Sequence, residues 1–309
     1  MHLQQILENV HYLSGASNVG LVIGEGQNAV LIDSGVGRRS GRQIFQMLTD
    51  LGLKLAAILN THGHGDHVGG NAYLVEKTGA RVYAPRYDAV IMADPLWGTL
   101  CTFGGAEPID ELRLPRFSPE PCAVDVVVAD GTTTVAGIPF EVVSLPGHTA
   151  SHVGYIVNRV FFTGDALAGP EELSGSPVSY AYSVGQCLQS LEKLRRFSCS
   201  WYVPGHGAVL QDIQGVIDLN VAQINRMLDA VQASLDGSAA DSSDIMVGVC
   251  RLLGLELHST KHYYLLSPTL HSALSYLSNS GRIHHTIRNN RMLWSKVAEE
   301  PMCCSSTAP

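Results

Sequence analysis

The sequence lacks the features that mark membrane, secreted and disulfide-stabilised proteins. It contains no uninterrupted apolar run of about 18 residues, which argues against a transmembrane helix and a membrane partner. Its first residues lack the basic head and the apolar run of a secretory signal. The seven cysteines are scattered, odd in number and without a CxxC pair, a pattern typical of free thiols. We therefore expect a cytoplasmic protein.

Charged residues are also few, at 16% of the chain, while hydrophobic residues make up 45%. This composition predicts a globular protein, and 309 residues allow one large domain and a small one. The charge is unevenly distributed. Residues 251–298 carry six basic residues and one acidic residue, about +5, whereas residues 1–250 carry 14 basic and 25 acidic residues, or -11. Such a step can mark a domain boundary.

Apolar periodicity predicts strands that alternate with helices. The predicted strands cover residues 19–23, 29–33, 56–60, 81–84, 124–129, 140–145, 154–157, 160–163 and 201–203. The predicted helices cover residues 41–51, 70–78, 184–197, 213–235, 244–254 and 268–279. Residues 85–121 contain six prolines and no sustained period, so we interpret them as a long insertion over one face. This order predicts an α/β fold with functional residues at strand ends.

The domain prediction follows from the polar linker 238–243. We expect a catalytic domain over residues 1–237 and a small, mostly helical C-terminal domain over residues 244–298. Residues 281–283 and 292–294 would form a two-stranded wing, and residues 299–309 would form a loose tail.

The run from His62 to His67, His-Gly-His-Gly-Asp-His, carries the strongest chemical signal. Zinc binds neutral imidazole nitrogens and carboxylate oxygens, and this run offers both types within six residues. Gly63 and Gly65 allow the backbone to fold sharply enough to bring these side chains together. The run therefore predicts a metal site.

Three further donors occupy matching positions, each after an apolar strand and beside a glycine: His148, Asp165 and His206. Together with the run they give seven candidate ligands. Seven ligands are too many for one ion and suit two. A single buried histidine is more often a hydrogen-bonded core residue, but this combination favours a binuclear site.

These motifs resemble the metallo-β-lactamase superfamily, whose mark is HxHxDH followed by separate His, Asp and His ligands. The resemblance covers about residues 5–235, and Asp33 matches an early structural aspartate of that family. It implies an αββα sandwich, with the metals at one edge of two facing sheets. It also implies a first metal on His62, His64 and His148, a second on Asp66, His67 and His206, and Asp165 as the bridge.

This ligand set predicts a metal-dependent hydrolase. A water shared by two dications becomes a nucleophilic hydroxide near neutral pH, and one metal polarises the substrate oxygen. Asp66 is the predicted catalytic residue, because it can orient the hydroxide and carry a proton to the leaving group. The expected cofactors are two divalent ions, zinc in the first place, although the same ligands accept iron or manganese.

Several branches of the superfamily stay open. Glyoxalase II enzymes share the full ligand set, but the sequence shows no convincing match to their basic glutathione-binding stretch. Persulfide dioxygenases use one iron on the equivalents of His62, His148 and Asp165. Nuclease branches also stay open, whereas His64 argues against the flavodiiron branch, which has Glu there.

The C-terminal region resembles the small winged-helix-like domain of some glyoxalase II-like members. Its charge of about +5 suits phosphate contacts, which would make nucleic acid a partner. The acidic core, few aromatic residues and lack of an RNA-module motif argue against this. The alternative roles are a dimer contact, giving a homodimer, and a substrate lid.

Two tyrosines after the Asp165 strand, Tyr180 and Tyr182, are candidate substrate contacts. We interpret His152 as a supporting or surface residue and His284-His285 as a surface pair. The leading hypothesis is a binuclear, glyoxalase II-like hydrolase of a small ester, thioester or lactone. The alternatives are a metal-dependent nuclease or phosphodiesterase and a mononuclear iron persulfide dioxygenase.

Overall fold

Two β-sheets lie at the centre of the computed structural model, which describes residues 1–114 and 117–297. The first sheet has seven strands in chain order, antiparallel from β1 to β4 and parallel from β4 to β7. Its strands are β1 His2–Leu7, β2 Val10–Ser14, β3 Val19–Ile23, β4 Asn28–Ile32, β5 Lys54–Leu59, β6 Arg81–Pro85 and β7 Val126–Val128.

The second sheet has five strands in the order β12-β11-β10-β9-β8. Only β11 and β12 run parallel, so their carboxyl ends meet at the same edge. Its strands are β8 Gly131–Val135, β9 Ile138–Ser144, β10 Val153–Val157, β11 Val160–Gly164 and β12 Trp201–Pro204.

Helices cover the outer face of each sheet, which gives four layers. The helices of residues 1–233 are α1 Gly37–Asp50, α2 Gly65–Val68, α3 Asn71–Thr78, α4 Arg86–Ala93, α5 Leu96–Thr102, α6 Pro170–Gly175, α7 Val184–Leu194 and α8 Gln214–Ala233. Helices α1 and α3 pack on the first sheet, and α7 and α8 pack on the second. This is the αββα arrangement that the resemblance implied.

The sequence of β4 shows why this strand lies between two layers. Val30 and Ile32 point into the core between the sheets, whereas Ala29 and Leu31 point toward α1 and α3. A strand that is buried on both faces reads as a continuous apolar run rather than an alternating one.

The C-terminal part begins with α9 Ser242–Leu253 and α10 Thr260–Asn279, followed by the hairpin β13 Ile283–Arg288 and β14 Arg291–Lys296. The predicted two-stranded wing is therefore confirmed. Helices α7, α8, α9 and α10 share one apolar core. The domain boundaries at residues 237 and 244 stay a prediction, and the predicted tail over 299–309 lies outside the described residues.

The structure corrects four details of the predicted elements. The interpreted insertion 85–121 contains α4, α5 and a short 3-10 helix at Asp110–Leu112. Strands β1, β2 and β8 were not predicted. Helix α9 begins inside the predicted linker, and α10 begins eight residues before residue 268, with Pro268 inside it. In the described ranges, no helix combines the length and hydropathy needed to span a membrane.

Candidate metal centre

The seven predicted donors lie together where the strands of both sheets end. The run from His62 to His67 follows β5, and Asp165 and His206 follow the parallel strands β11 and β12. His148 lies in the turn between β9 and β10. Parallel strands deliver their carboxyl ends to one edge, which explains why residues distant in sequence meet here.

One group of donors consists of His62, His64 and His148, whose ligand atoms lie within 4.8 Å of one another. His148 Nε2 lies 2.9 Å from His64 Nδ1. Two nitrogens bound to one zinc ion at 2.0–2.1 Å and tetrahedral angles lie about 3.3 Å apart. The spacing in this group is therefore compatible with one shared ion after small adjustments.

A second group consists of Asp66, His67 and His206, also within 4.8 Å. His67 Nε2 lies 3.4 Å from His206 Nε2, and His206 Nε2 lies 3.9 Å from Asp66 Oδ2. The two groups match the two predicted ligand sets, although their role as ligands stays a prediction.

Asp165 lies between the two groups. Its Oδ2 is 3.3 Å from His148 Nε2 and 3.5 Å from His206 Nε2, and its Oδ1 is 3.3 Å from His67 Nε2. One carboxylate therefore faces histidines of both groups. This position is compatible with the bridging role, which stays a prediction.

Asp33 orients two of the histidines from behind. His67 Nδ1–H donates to Asp33 Oδ2 at 2.9 Å, and Thr61 Oγ1 donates to the same oxygen at 2.8 Å. Thr61 Oγ1 is then free to accept from His62 Nδ1–H, 3.0 Å away. In both histidines this leaves the Nε2 lone pair directed at the cluster, as in metal sites whose ligands are oriented by a carboxylate.

Asp88 forms hydrogen bonds with two segments that carry donors, the run 62–67 and the turn after His148. Its buried carboxylate accepts from the Gly63 backbone N–H at 2.8 Å, from Thr149 Oγ1 at 3.1 Å and from Ser151 Oγ at 2.5 Å. Burial raises the pKa of Asp88, and these hydrogen bonds oppose that shift. No local pattern pointed to this residue, because it lies inside the unassigned segment 85–121.

The loop between β2 and β3 supports the second group. His206 Nδ1–H donates to Ala16 O at 2.7 Å, and Ser17 Oγ donates to Asp66 O at 2.5 Å. Asn18 Nδ2 donates to Pro204 O and Gly207 O, both at 2.9 Å. Residues 16–18 therefore fix the backbone on both sides of His206.

His152 is fully buried, which corrects the alternative that it lies on the surface. Its ring stacks on His62 with centroids 5.0 Å apart, and its Nε2 accepts from the Asp165 backbone N–H at 3.1 Å. Burial lowers the pKa of His152 to about 3, so the ring is neutral at physiological pH. His152 therefore supports the backbone at Asp165.

Gly205 allows Asp165 and His67 to pack directly against its backbone. A Cβ atom there would lie 1.9 Å from Asp165 Oδ1 and 2.9 Å from His67 Cε1. Any side chain at this position would displace one of the two donors. The glycine beside His206 is therefore a packing requirement of the cluster.

The residues present fit divalent metal ions. His62 Nε2 is a buried polar atom without a hydrogen-bond partner, and buried Asp165 Oδ1 has only the 3.3 Å contact with His67 Nε2. Such unpaired groups are costly in a folded protein unless an ion or a water satisfies them. Imidazole nitrogens and carboxylate oxygens are also the donors that zinc, iron and manganese accept.

The electrostatics of the centre are those of closely packed donors. Burial lowers the pKa of His62 well below its ordinary value, with the neighbouring His67 and His64 adding to the effect. Burial also lowers the pKa of His67, but the carboxylates of Asp165 and Asp33 outweigh it and raise that pKa well above its ordinary value. The carboxylates of Asp165 and Asp33 therefore stabilise positive charge at His67, whereas burial disfavours it at His62.

Glu172 in α6 is a further, partly buried carboxyl, and no sequence pattern indicates it. Burial raises its pKa to about 7, and the nearby negative charges of Asp165 and Asp66 add to the shift. Nothing in the local sequence Pro170-Glu171-Glu172 signals a functional group, because the shift arises from the fold.

The two candidate tyrosines lie in different environments. The Tyr180 ring is 5.4 Å from the His64 ring and 5.4 Å from the His148 ring, measured between centroids. Burial raises the pKa of Tyr180 to about 12, so its hydroxyl stays protonated. Tyr182 is 56% exposed, and its backbone N–H donates to His148 O at 3.3 Å. His284 and His285 are exposed, as predicted for a surface pair.

A comparison with protein families finds that residues 14–206 match the metallo-beta-lactamase superfamily. The chain is 25% identical over 290 residues to an atrochrysone carboxyl ACP thioesterase of Aspergillus fumigatus, covering 89% of this chain and 60% of that protein. It is 31% identical over 182 residues to a hydroxyacylglutathione hydrolase of Albidiferax ferrireducens, covering 56% and 58% respectively. The chain thus spans about 60% of each of these two relatives.

Two solved structures share the fold over nearly the whole chain. A metallo-beta-lactamase family protein from Thermus thermophilus is 21% identical, with a TM-score of 0.75, and the match covers 95% of this chain and 100% of that one. A beta-lactamase domain protein from Burkholderia ambifaria is 18% identical, with a TM-score of 0.77, and the match covers 96% and 94% of the two chains. Both matches extend into the C-terminal part.

Proposed function

Because the chain belongs to the metallo-beta-lactamase superfamily, we propose that it is a hydrolase that cleaves thioesters at a centre of two divalent metal ions. The observation that carries the proposal is the convergence of seven donors at one sheet edge, with buried His62 Nε2 left without a hydrogen-bond partner. The proposed substrates are small acyl groups linked to a thiol carrier.

The choice of a thioester rests on what the two kinds of relatives have in common. One kind is named for acyl groups on an acyl carrier protein, and the other for hydroxyacyl groups on glutathione. The carriers differ, but in both the acyl group is attached through sulfur. The relatives therefore support cleavage of a thioester bond more strongly than they support either carrier. The sequence also shows no convincing match to the basic glutathione-binding stretch of glyoxalase II enzymes.

In this proposal His62, His64 and His148 hold the first ion, Asp66, His67 and His206 hold the second, and Asp165 bridges them. Bound there, two divalent ions would supply Lewis acidity and lower the pKa of a shared water. The donors favour zinc, and iron or manganese are the alternatives. Asp33 and Thr61 keep the His67 and His62 lone pairs directed at the centre.

Asp66 is the proposed catalytic carboxylate, because it lies in the histidine run at the metal centre and can hold a water and accept its proton. A thiol leaving group needs little help from that proton. Thiols have pKa values of about 8.5, so a thiolate departs readily near neutral pH. The Tyr180 hydroxyl is the proposed donor to the substrate, and the role of Tyr182 as a contact stays a prediction.

The test is a substrate panel run on the metal-loaded protein. We would compare an acyl-N-acetylcysteamine thioester, S-lactoylglutathione, the matched oxoester, a lactone, bis-p-nitrophenyl phosphate and a structured RNA. The proposal expects the thioesters to be turned over with the highest kcat/KM, measured by release of free thiol. Preference for the phosphodiester or RNA would support the nuclease alternative instead. A protein with one iron per chain that consumes oxygen with a persulfide would support the dioxygenase.

A further inference from the structure

The segment from Ser176 to Ser183, here called the 176–183 loop, forms one wall of the metal centre. It carries Tyr180, whose ring lies against His64 and His148 of the first donor group. The loop connects α6 to α7 and contains no regular secondary structure, so its backbone groups need partners from elsewhere.

Four consecutive amides, the last three of this loop and the first of α7, bind to two different parts of the molecule. The N–H groups of Tyr182 and Ser183 donate to His148 O at 3.3 Å and Gly147 O at 3.0 Å. The N–H groups of Ala181 and Val184 donate to Thr269 Oγ1 at 3.1 Å and Ser272 Oγ at 2.7 Å. The Tyr182 and Ser183 amides thus bind the turn that carries His148, and the Ala181 and Val184 amides bind α10.

The α10 hydroxyls are well placed to accept these bonds. Thr269 is 2% exposed, and its own proton is donated to Leu265 O at 3.3 Å, so a lone pair faces the Ala181 amide. Ser272 lies one helical turn further on the same face of α10. The two hydroxyls therefore match the spacing of the two amides.

Helix α8 holds the beginning of the same loop. Gln223 Nε2 donates to Ser176 O at 2.7 Å, and Ser179 Oγ donates to Gln223 Oε1 at 2.8 Å. Gln223 is 3% exposed, so this amide is locked in place. With both ends fixed, Tyr180 has little freedom to move away from the first donor group.

From this arrangement we propose that α10 is a positioning part of the active site. Thr269 and Ser272 hold the 176–183 loop so that Tyr180 faces the first donor group, and they also stabilise the turn that carries His148. Thr269 and Ser272 are positioning residues, since neither touches the centre itself. The kinetic part of this proposal rests on the proposed thioesterase function, whereas the structural part does not.

The consequence for the reaction follows from positional accuracy. A displacement of about 1 Å in a group that orients a substrate can lower the rate by about a hundredfold. Removing both hydroxyls leaves the Ala181 and Val184 amides without acceptors, and the loop then samples positions in which water satisfies them. We expect kcat/KM to fall by about ten- to a hundredfold, mainly through kcat.

The experiment uses the full-length, metal-loaded protein with Thr269→Val, Ser272→Ala and the double substitution. Thr269→Ser keeps the hydroxyl and serves as the conservative variant. Ser275→Ala is the matched control, because Ser275 lies on the same helix and accepts from exposed Asn279 Nδ2 rather than from the loop. The readouts are amide hydrogen exchange over residues 176–187, metal content and thioester kinetics.

We expect the double variant to exchange the Ala181 and Val184 amides at least tenfold faster, with metal content unchanged and kcat/KM reduced. The single variants should show part of this effect, and Thr269→Ser and Ser275→Ala should behave like the wild type. Unchanged exchange in the loop overturns the proposal, and so does faster exchange with unchanged kcat/KM. If the wild-type protein cleaves no thioester, the proposed function fails, and the exchange comparison still decides whether α10 holds the loop.

Discussion

Asp33 Oδ2 lies 2.9 Å from His67 Nδ1, and this contact fixes which nitrogen of His67 faces the metal centre. Asp33 has a positive φ of +63°, a conformation that aspartate tolerates better than most residues. The same carboxylate also accepts from the Thr61 backbone N–H at 2.8 Å. One side chain thus joins the end of β4 to the start of the histidine run.

Replacing Asp33 with Asn should weaken metal binding without removing a donor. The amide cannot accept from both His67 and Thr61 as the carboxylate does, so the histidines lose their fixed tautomer. We expect metal affinity to fall by about 10- to 100-fold, the range seen for residues that orient metal ligands. Competition with a chromogenic chelator measures this. Asp50→Asn, at an exposed site in α1, is the control and should leave the affinity unchanged.

A second prediction concerns the number of ions. The zinc-loaded wild-type protein should hold two ions per chain by elemental analysis, and His206→Asn should hold one, because the first donor group stays intact. Chelation of both ions should lower Tm, since the folded state alone binds them. His258→Asn is the control, because the His258 side chain is 74% exposed and lies outside the centre. A wild-type content of one ion would contradict the two-ion proposal.

Gly205 offers a steric test of the centre. Gly205→Ala places a Cβ where Asp165 Oδ1 now lies, so we expect a loss of about 1–3 kcal/mol in stability from overpacking and a loss of metal. Gly215→Ala is the matched control, because nothing lies within 4 Å of the added atom in α8. In that helix the control should be neutral or stabilising by up to about 1 kcal/mol. Equal metal content in the two variants would contradict the role of Gly205 as a packing requirement of the cluster.

The raised pKa of Glu172 predicts that the stability of the metal-free protein depends on pH. Because burial raises its pKa from 4.5 to about 7, the native state favours the protonated carboxyl. That stabilisation is complete below pH 4.5 and is lost as the pH rises through about 7. Glu172→Gln lacks this titration, so its Tm relative to wild type should increase between pH 4.5 and 7. Thermal melts of chelator-treated protein test this, with exposed Glu25→Gln as the control that should show no such trend.

The donors could be found from the sequence because their chemistry is local. The run from His62 to His67 places four donors within six residues, and His148, Asp165 and His206 each follow a recognisable apolar strand. The parallel ends of β11 and β12 then bring Asp165 and His206 to the same edge. Strand ends and residue types were enough to predict that these side chains meet.

The supporting residues could not be found in this way, because their roles depend on contacts across long sequence distances. Asp88 lies in α4, within the proline-rich segment, and accepts hydrogen bonds from Gly63 and Thr149. His152 is a supporting residue because it accepts a hydrogen bond from the Asp165 backbone N–H. Local sequence was misleading in two elements. Pro268 resembles a helix start but lies inside α10, and the threonine-rich β8 lacks the apolar content of a predicted strand.

The hold of α10 on the 176–183 loop also bears on how the protein is synthesised. A nascent chain that has released its first 240 residues carries all seven donors but lacks Thr269 and Ser272. Under our proposal, the 176–183 loop of this nascent chain has Gln223 and the turn at His148 as partners, but it lacks the hold of α10 until about thirty more residues leave the ribosome. Tyr180 therefore reaches its final position against the first donor group only when α10 folds.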